Sequence, residues 1–171
     1  MTNTRCSTTL LAVAVLVTAT LATACNSDDS TMTSTPNTTA PGRQCEAVGT
    51  DLASQATERV EVELADYVIV LQRPQIQAGT VTFVVTNIGT EDHELAFLPG
   101  GGSVPTLPDG SPDEDALEAA GAFELEAFGP GQTCEGTFQL AAGTYRLFCV
   151  VRSHDGRTHL AKGMETLLTV S

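Results

Sequence analysis

The sequence predicts an all-β fold, a Greek-key antiparallel β-sandwich, with one short helix on a long excursion between strands. Three observations lead there. Apolar and polar residues alternate through several short segments, Gly and Pro turns separate those segments, and only one stretch carries helix boundary signals.

Taken in order, "RVEVEL" places Val60, Val62 and Leu64 on one parity, the mark of a strand with one face in a core. "YVIVL" follows as a strand that is apolar nearly throughout. "AGTVTFVVTN" is a Gly-led turn and a strand with Val81, Phe83 and Val85 on one side. "HELAFL", His93 to Leu98, is entered from the polar loop "NIGTED". The segment from Pro99 to Gln132 then interrupts the strand rhythm with Gly, Pro and acids. Within it "SPDEDALEAAG" has Ser111 at an N-cap position, Pro112 next, acids in the first turn and Gly121 after the end, which predicts the helix. Strands resume with "TCEGTFQL", "TYRLFCVV" and "METLLTV", for a total of about seven or eight.

The N-terminal region stands apart from this domain. Arg5 precedes an apolar run, "TLLAVAVLVTATLATAC", that is too short and too rich in Ala and Thr to span a membrane and reads as a secretory signal over residues 1–24. Its end, "LATAC", resembles the lipobox of bacterial lipoproteins, in which the Cys, here Cys25, is acylated and becomes the first mature residue. Ala22 stands where Leu is commonest, and cleavage near "ATA" with an incidental Cys25 is the alternative. Residues 25–44 are dominated by Ser, Thr, Asn and Pro, a composition that cannot bury enough surface to offset its ordering entropy, so a disordered linker is expected. The folded domain is then 45–171, held outside the cytoplasm on the bacterial cell membrane.

Eight basic residues face twenty-one acids, a net charge of −13 that becomes one unit more negative when Arg5 leaves with the signal. Nucleic acid and electrostatic binding to an anionic membrane are excluded as partners; a basic protein surface is not. Of the five cysteines, Cys6 leaves with the signal, Cys25 is the lipid anchor and Cys149 lies in a motif described below. Cys45 and Cys134 remain, and in an exported protein their simplest fate is a disulfide. Whether their Cα atoms approach closely enough is not legible in sequence.

The three histidines are His93, His154 and His159, and the last two lie between Cys149 and Met164. A thiolate with imidazoles and a thioether is the ligand set of a blue copper site. No Gly-x-Ser-x-Gly, phosphate loop or His-Glu-x-x-His competes with it. Taken singly, each ligand has a plainer reading: a strand-start histidine, a buried structural thiol, a core methionine.

Together the residues resemble the cupredoxin family of blue copper proteins over nearly all of 58–170. "NIGTEDHEL" is similar to the family's first-ligand segment, with Asn87, Gly89 and His93; "AGTYRLFC" to its approach to the ligand Cys, with Tyr145 and Cys149; and "HLAKGM" to its closing His and Met. The resemblance implies one type 1 copper held by His93, Cys149, a second His and Met164, on a loop joining two strands. Many members have two to four residues between Cys and the second His, which would select His154; His159 leaves nine. His159 is favoured because it stands at the family's distance from Gly163-Met164, and because "SHDGRTH" reads as a turn at Asp155-Gly156 that lifts His154 to the surface. His154 stays the alternative. Asn87 is expected either to hydrogen-bond backbone near the ligand loop or to serve its own turn, and one of Leu147 and Phe148 to pack in the core.

The function implied is extracytoplasmic electron transfer by a monomeric lipoprotein, with a redox protein as partner, one offering a basic docking surface, and with membrane contact through the lipid alone. Copper sequestration or delivery, and metal-free interaction through the same fold, are the alternatives; the Met-rich or His-rich tracts that favour metal handling are lacking. Chemistry such as nitrite reduction in the resembling family needs a second copper and more than one such domain, whereas this chain has room for one, so no enzymatic activity is expected.

Overall fold

The structure, a computed structural model, describes residues 42–171. The expected signal peptide, the lipid anchor Cys25 and most of the 25–44 linker lie outside the described residues. The chain is tied to the domain from Arg43, whose carbonyl accepts hydrogen bonds from the Gly129 N–H and the Gln132 side-chain amide, both at 2.7 Å.

Among the described residues the strands are β1 (Glu58–Ala65), β2 (Val68–Leu71), β3 (Gln75–Ile76), β4 (Gly79–Asn87), β5 (His93–Pro99), β6 (Phe123–Phe128), β7 (Thr133–Leu140), β8 (Gly143–Phe148) and β9 (Glu165–Val170), with one α-helix, α1 (Glu114–Ala119). One sheet has the order β2-β1-β4-β7 and the other β3-β9-β8-β5-β6. Val60, Val62, Leu64, Val81, Phe83 and Val85 of the first sheet share a core with Leu95, Phe97, Leu125, Leu147 and Leu168 of the second. The two-residue periodicity of "RVEVEL" and "TVTFVV" therefore marks the inner face as expected.

The strand directions are mixed rather than wholly antiparallel. β1 and β4 run parallel, as do β3 and β9. The cause is a crossover: after the β1–β2 hairpin the chain visits the other sheet as β3, then returns as β4 beside β1, which a tight hairpin cannot achieve. "YVIVL" also differs from expectation. Only Ile69 is buried, while Val68 and Val70 face outward at a sheet edge, where β-branched side chains still suit the pleat.

The long excursion holds both a helix and a strand. Asp113, not Ser111, caps α1 by accepting the Ala116 N–H at 3.1 Å; Ser111 is engaged instead by Asp109. "FELEAF", which the acidic surroundings disguise, is β6, paired with β5. The excursion covers the outer face of its sheet. Phe148 packs there with Ala96, Leu98, Val104 and Leu117, while Leu147 enters the main core, so both flanking residues of Cys149's strand are buried.

Cys45 and Cys134 form a disulfide, with Cα atoms 5.4 Å apart and a sequence separation of 89. It fastens the segment ahead of β1 to β7, beside the bridge of Val48 to Gly136. Closing a loop of that length contributes about 2–4 kcal/mol by restricting the unfolded chain.

Where β5 meets β6, Glu126 and Ala127 face the single residue Glu94 across a bulge. Glu94 lies on the face of β5 that carries Ala96 and Leu98, under the excursion, 8% exposed, and its carboxylate accepts the Val150 N–H. Burial pushes the carboxyl up to about 7, against the pull of that N–H and with repulsion from Glu124, Glu126 and Glu114. A folded pKa above the unfolded value of 4.5 means that stability held below pH 4.5 is lost as pH rises through about 7. Glu94→Gln keeps an acceptor for Val150 and cannot ionise. It should match the wild type near pH 4 and exceed it at pH 8 by up to about 3 kcal/mol in urea unfolding; the same difference at both pH values would contradict this.

Candidate metal centre

Three segments converge at one end of the sandwich. The first is the turn from Asn87 to His93. Asn87 is fully buried; its side-chain amide donates to the carbonyls of Glu91 and Phe128, each at 2.9 Å, and its oxygen accepts the Gly89 N–H at 3.0 Å. Asn87 thus serves its own turn and ties that turn to β6, whereas the backbone between Cys149 and Met164 does not bond to it. Gly89 is required by close approach. A Cβ there would stand 2.5 Å from Asp66 Oδ1 and 2.6 Å from His93 Nε2.

The second segment is the stretch joining β8 to β9. Cys149 follows β8 directly and Met164 precedes β9, and the Cys149 N–H donates to the Met164 carbonyl at 3.2 Å, one step beyond the ladder of the two strands. Between them the chain folds into a small hairpin with a bridge between Arg152 and Thr158 and a turn in which the Gly156 N–H reaches the Ser153 carbonyl at 2.9 Å. Gly156 has φ +81°, a conformation that suits glycine. Asp155 Oδ1 accepts the Arg157 N–H, and Asp155 Oδ2 pairs with Lys162 at 3.0 Å.

This hairpin separates the two histidines. His154 is exposed near its tip. His159, past its base, turns inward; its N–H donates to the Val151 carbonyl at 2.8 Å and its carbonyl accepts the Met164 N–H at 3.0 Å. A 3₁₀ turn, Leu160–Lys162, then ends at Gly163 with φ +94°.

His93, Cys149 and His159 are all 0% exposed, and one donor atom from each lies within 4.8 Å of the others. His93 Nδ1 is 2.9 Å from His159 Nδ1, and His159 Nδ1 is 3.3 Å from Cys149 Sγ. Met164 is fully buried in the same core, its backbone bridging Cys149 and His159. Burial lowers the pKa of His93, although Asp66 opposes it, and pushes the Cys149 thiol up to about 12, helped by the charge of Glu94.

The outer nitrogens meet carboxylates that the sequence did not advertise. His159 Nε2 is 2.7 Å from Glu91 Oε2, and His93 Nε2 is 3.3 Å from Asp66 Oδ1. Burial alone would raise both carboxyl pKa values. Hydrogen bonds from Thr90 and His93 to Asp66, and from Ser153 and His159 to Glu91, bring them below the usual range. Tyr67 completes the cover: its ring stands edge-on to His159 at 5.3 Å, and its hydroxyl accepts a hydrogen bond from Lys162 at 3.1 Å. Tyr67 adopts φ +66°, unusual for a bulky residue, in the β1–β2 turn. That Asp66 and Tyr67 share a two-residue turn explains how one loop reaches both histidines.

Two inward nitrogens and a thiol thus face one point, with no carboxylate or backbone acceptor among them in the described residues. That donor set suits a soft or borderline ion and not calcium or magnesium. His93, Cys149 and His159 are therefore positioned to hold one metal ion.

No protein-family model and no curated protein matches the chain. Solved structures do. Auracyanin B matches with a TM-score of 0.51 and 23% identity, over 68% of this chain and 90% of that one. A dithionite-reduced auracyanin from the photosynthetic bacterium Roseiflexus castenholzii gives 0.48 and 23%, over 68% and 98%. Reduced rusticyanin gives 0.44 and 17%, over 66% and 78%. The two-sheet sandwich, with its buried His-Cys-His group at one end, has a cupredoxin-like fold.

Proposed function

We propose that this chain is a mononuclear type 1 copper protein, held outside the cytoplasm by a lipid on Cys25, that carries single electrons and catalyses no reaction of its own. The observation that supports it is the convergence of Cys149 Sγ with the Nδ1 atoms of His93 and His159 in a space closed to water. These residues fit copper. A thiolate and two imidazoles with a thioether in the same core form the soft, low-coordinate set that Cu(I) and Cu(II) share. Copper bound there supplies a one-electron couple.

The chain's own residues hold the ligand set still. His93 is fixed by the β5 ladder and the Asn87 turn, Cys149 by its N–H bond to Met164, and His159 by the hairpin that ends at Thr158. Ligands on such supports move little when the charge between them changes, which is what a carrier of electrons requires. Tyr67, edge-on to His159, keeps water from its ring. Of the alternatives to His159, His154 lies on the exposed tip and is read as a solvated turn residue. The partner is a protein that gives or takes one electron, and a net charge of −13 favours a basic docking face on it. A single copy of the chain suffices, since every ligand comes from one chain.

Copper(II) added to the purified protein should produce an intense visible thiolate-to-copper band. His159→Ala should abolish it and His154→Ala should leave it; the reverse pattern would overturn the choice of ligand, and no band in the wild type would overturn the copper reading. Because the thiol must lose its proton and is held up to about 12, affinity should rise about tenfold per pH unit between pH 6 and 9 on its account. A pH-independent affinity would show that Cys149 is not a ligand. For the anchor, Cys25→Ser should move the protein from the membrane fraction to the soluble one, and retention in the membrane would contradict lipidation there.

A further inference from the structure

Each histidine of the centre is held at its far nitrogen by a carboxylate from a different turn: Asp66 from the β1–β2 turn and Glu91 from the turn before β5. Neither carboxylate forms an ion pair with Lys or Arg among the described residues; Lys162, which caps Tyr67, pairs with Asp155. Asp66 also takes the N–H and hydroxyl of Thr90, both at 2.8 Å, and Glu91 lies 2.8 Å from the Ser153 hydroxyl. Both Asp66 oxygens and Glu91 Oε2 are thus committed to a turn or to an imidazole.

We infer that Glu91 and Asp66 are positioning residues of the metal centre: they keep the Nε2 protons on His159 and His93, turn both Nδ1 atoms inward, and favour the higher charge of a bound ion. This rests on the reading of the centre as a metal site.

The chemistry is that of a carboxylate behind an imidazole. An ionised carboxylate can only accept, so the nitrogen facing it carries the proton, and the other nitrogen is left with its lone pair toward the inside of the centre. Glu91 does more than orient one ring. Through Ser153 it joins the turn that carries His93 to the hairpin that carries His159, so one side chain locks two ligand segments together. That gives the long stretch between Cys149 and His159 a reason: it brings Ser153 and His159 to the same carboxylate.

The charge follows from the same geometry. With the thiolate, the two carboxylates place three negative charges around the ion: the thiolate and both imidazoles are buried, and the partly exposed Asp66 and Glu91 stand directly behind those imidazoles. A doubly charged ion gains more from them than a singly charged one. The oxidised state of a one-electron couple is favoured, and its reduction potential is lowered.

Two measurements test this separately from the copper reading. In metal-free protein, nitrogen NMR of the imidazole rings should find His159 and His93 both protonated at Nε2, with slow proton exchange at His159 that Glu91→Ala makes fast. An unprotonated Nε2 on wild-type His159 would overturn the positioning role whether or not copper binds. In copper-loaded protein, Glu91→Gln and Asp66→Asn keep an acceptor and remove the charge. Each should weaken binding of the oxidised relative to the reduced ion by about tenfold, which raises the potential by about 59 mV for one electron. Glu91→Ala, which removes the acceptor as well, should raise the copper dissociation constant about 10- to 100-fold. Wild-type potentials in both charge-neutral variants would overturn the electrostatic role, since a structural contact alone would leave Gln and Asn variants unchanged in potential. Copper-free wild-type protein after loading would count against the copper reading only, with the nitrogen spectra still deciding the positioning role.

Discussion

Two imidazoles and a thiol enclosed without water are costly unless something answers their polarity, and the rest of the structure is arranged around that constraint. His93, Cys149 and His159 are fully buried, and their inward atoms have only one another to face. The outward atoms are answered one by one: Asp66 for His93, Glu91 for His159, and the Met164 carbonyl for the backbone of Cys149. A centre built this way has its outer atoms bonded to the surrounding turns, and its three inward atoms stand close enough to one another to share one ion.

The less regular parts of the chain serve the same end. The excursion between β5 and β7 supplies β6, which pairs with β5, and α1, which covers Phe148 behind the strand of Cys149. The hairpin between Cys149 and Met164 adds nothing to either sheet, yet it sends His154 out and His159 in. Tyr67 holds a left-handed conformation that costs about 1–2 kcal/mol and gains a ring against His159. Backbone strain at that turn coincides with two contacts to the histidines, through Asp66 and through Tyr67.

Much of this was legible in the residues. Val60, Val62 and Leu64 mark their strand because one face of it is core and the other is solvent, and the order His93, Cys149, His159, Met164 marks the centre because the ladder of β8 with β9 brings the ends of the last three together. Less legible was whatever depends on contacts far apart in sequence. The parallel run of β4 beside β1 follows from a crossover through β3, a strand of two residues with no pattern of its own. β6 was hidden because Glu124 and Glu126 look like one more acidic stretch, although Phe123, Leu125 and Ala127 alternate with them. Glu91 and Asp66 look like ordinary turn acids until folding sets them beside histidines 68 and 27 residues away. Asn87 carried a signal for a buried hydrogen bond, but its partner across the sheet, the Phe128 carbonyl, did not.

The central claim is that a sulfur and two imidazole nitrogens share one copper ion. Copper-edge X-ray absorption of the loaded protein tests it most directly, because it identifies the atoms around the metal without reference to activity. The account requires one sulfur scatterer at short distance and two imidazole rings, with the sulfur lost in Cys149→Ser. A first shell of oxygen and nitrogen alone, or one unchanged by that substitution, would contradict it.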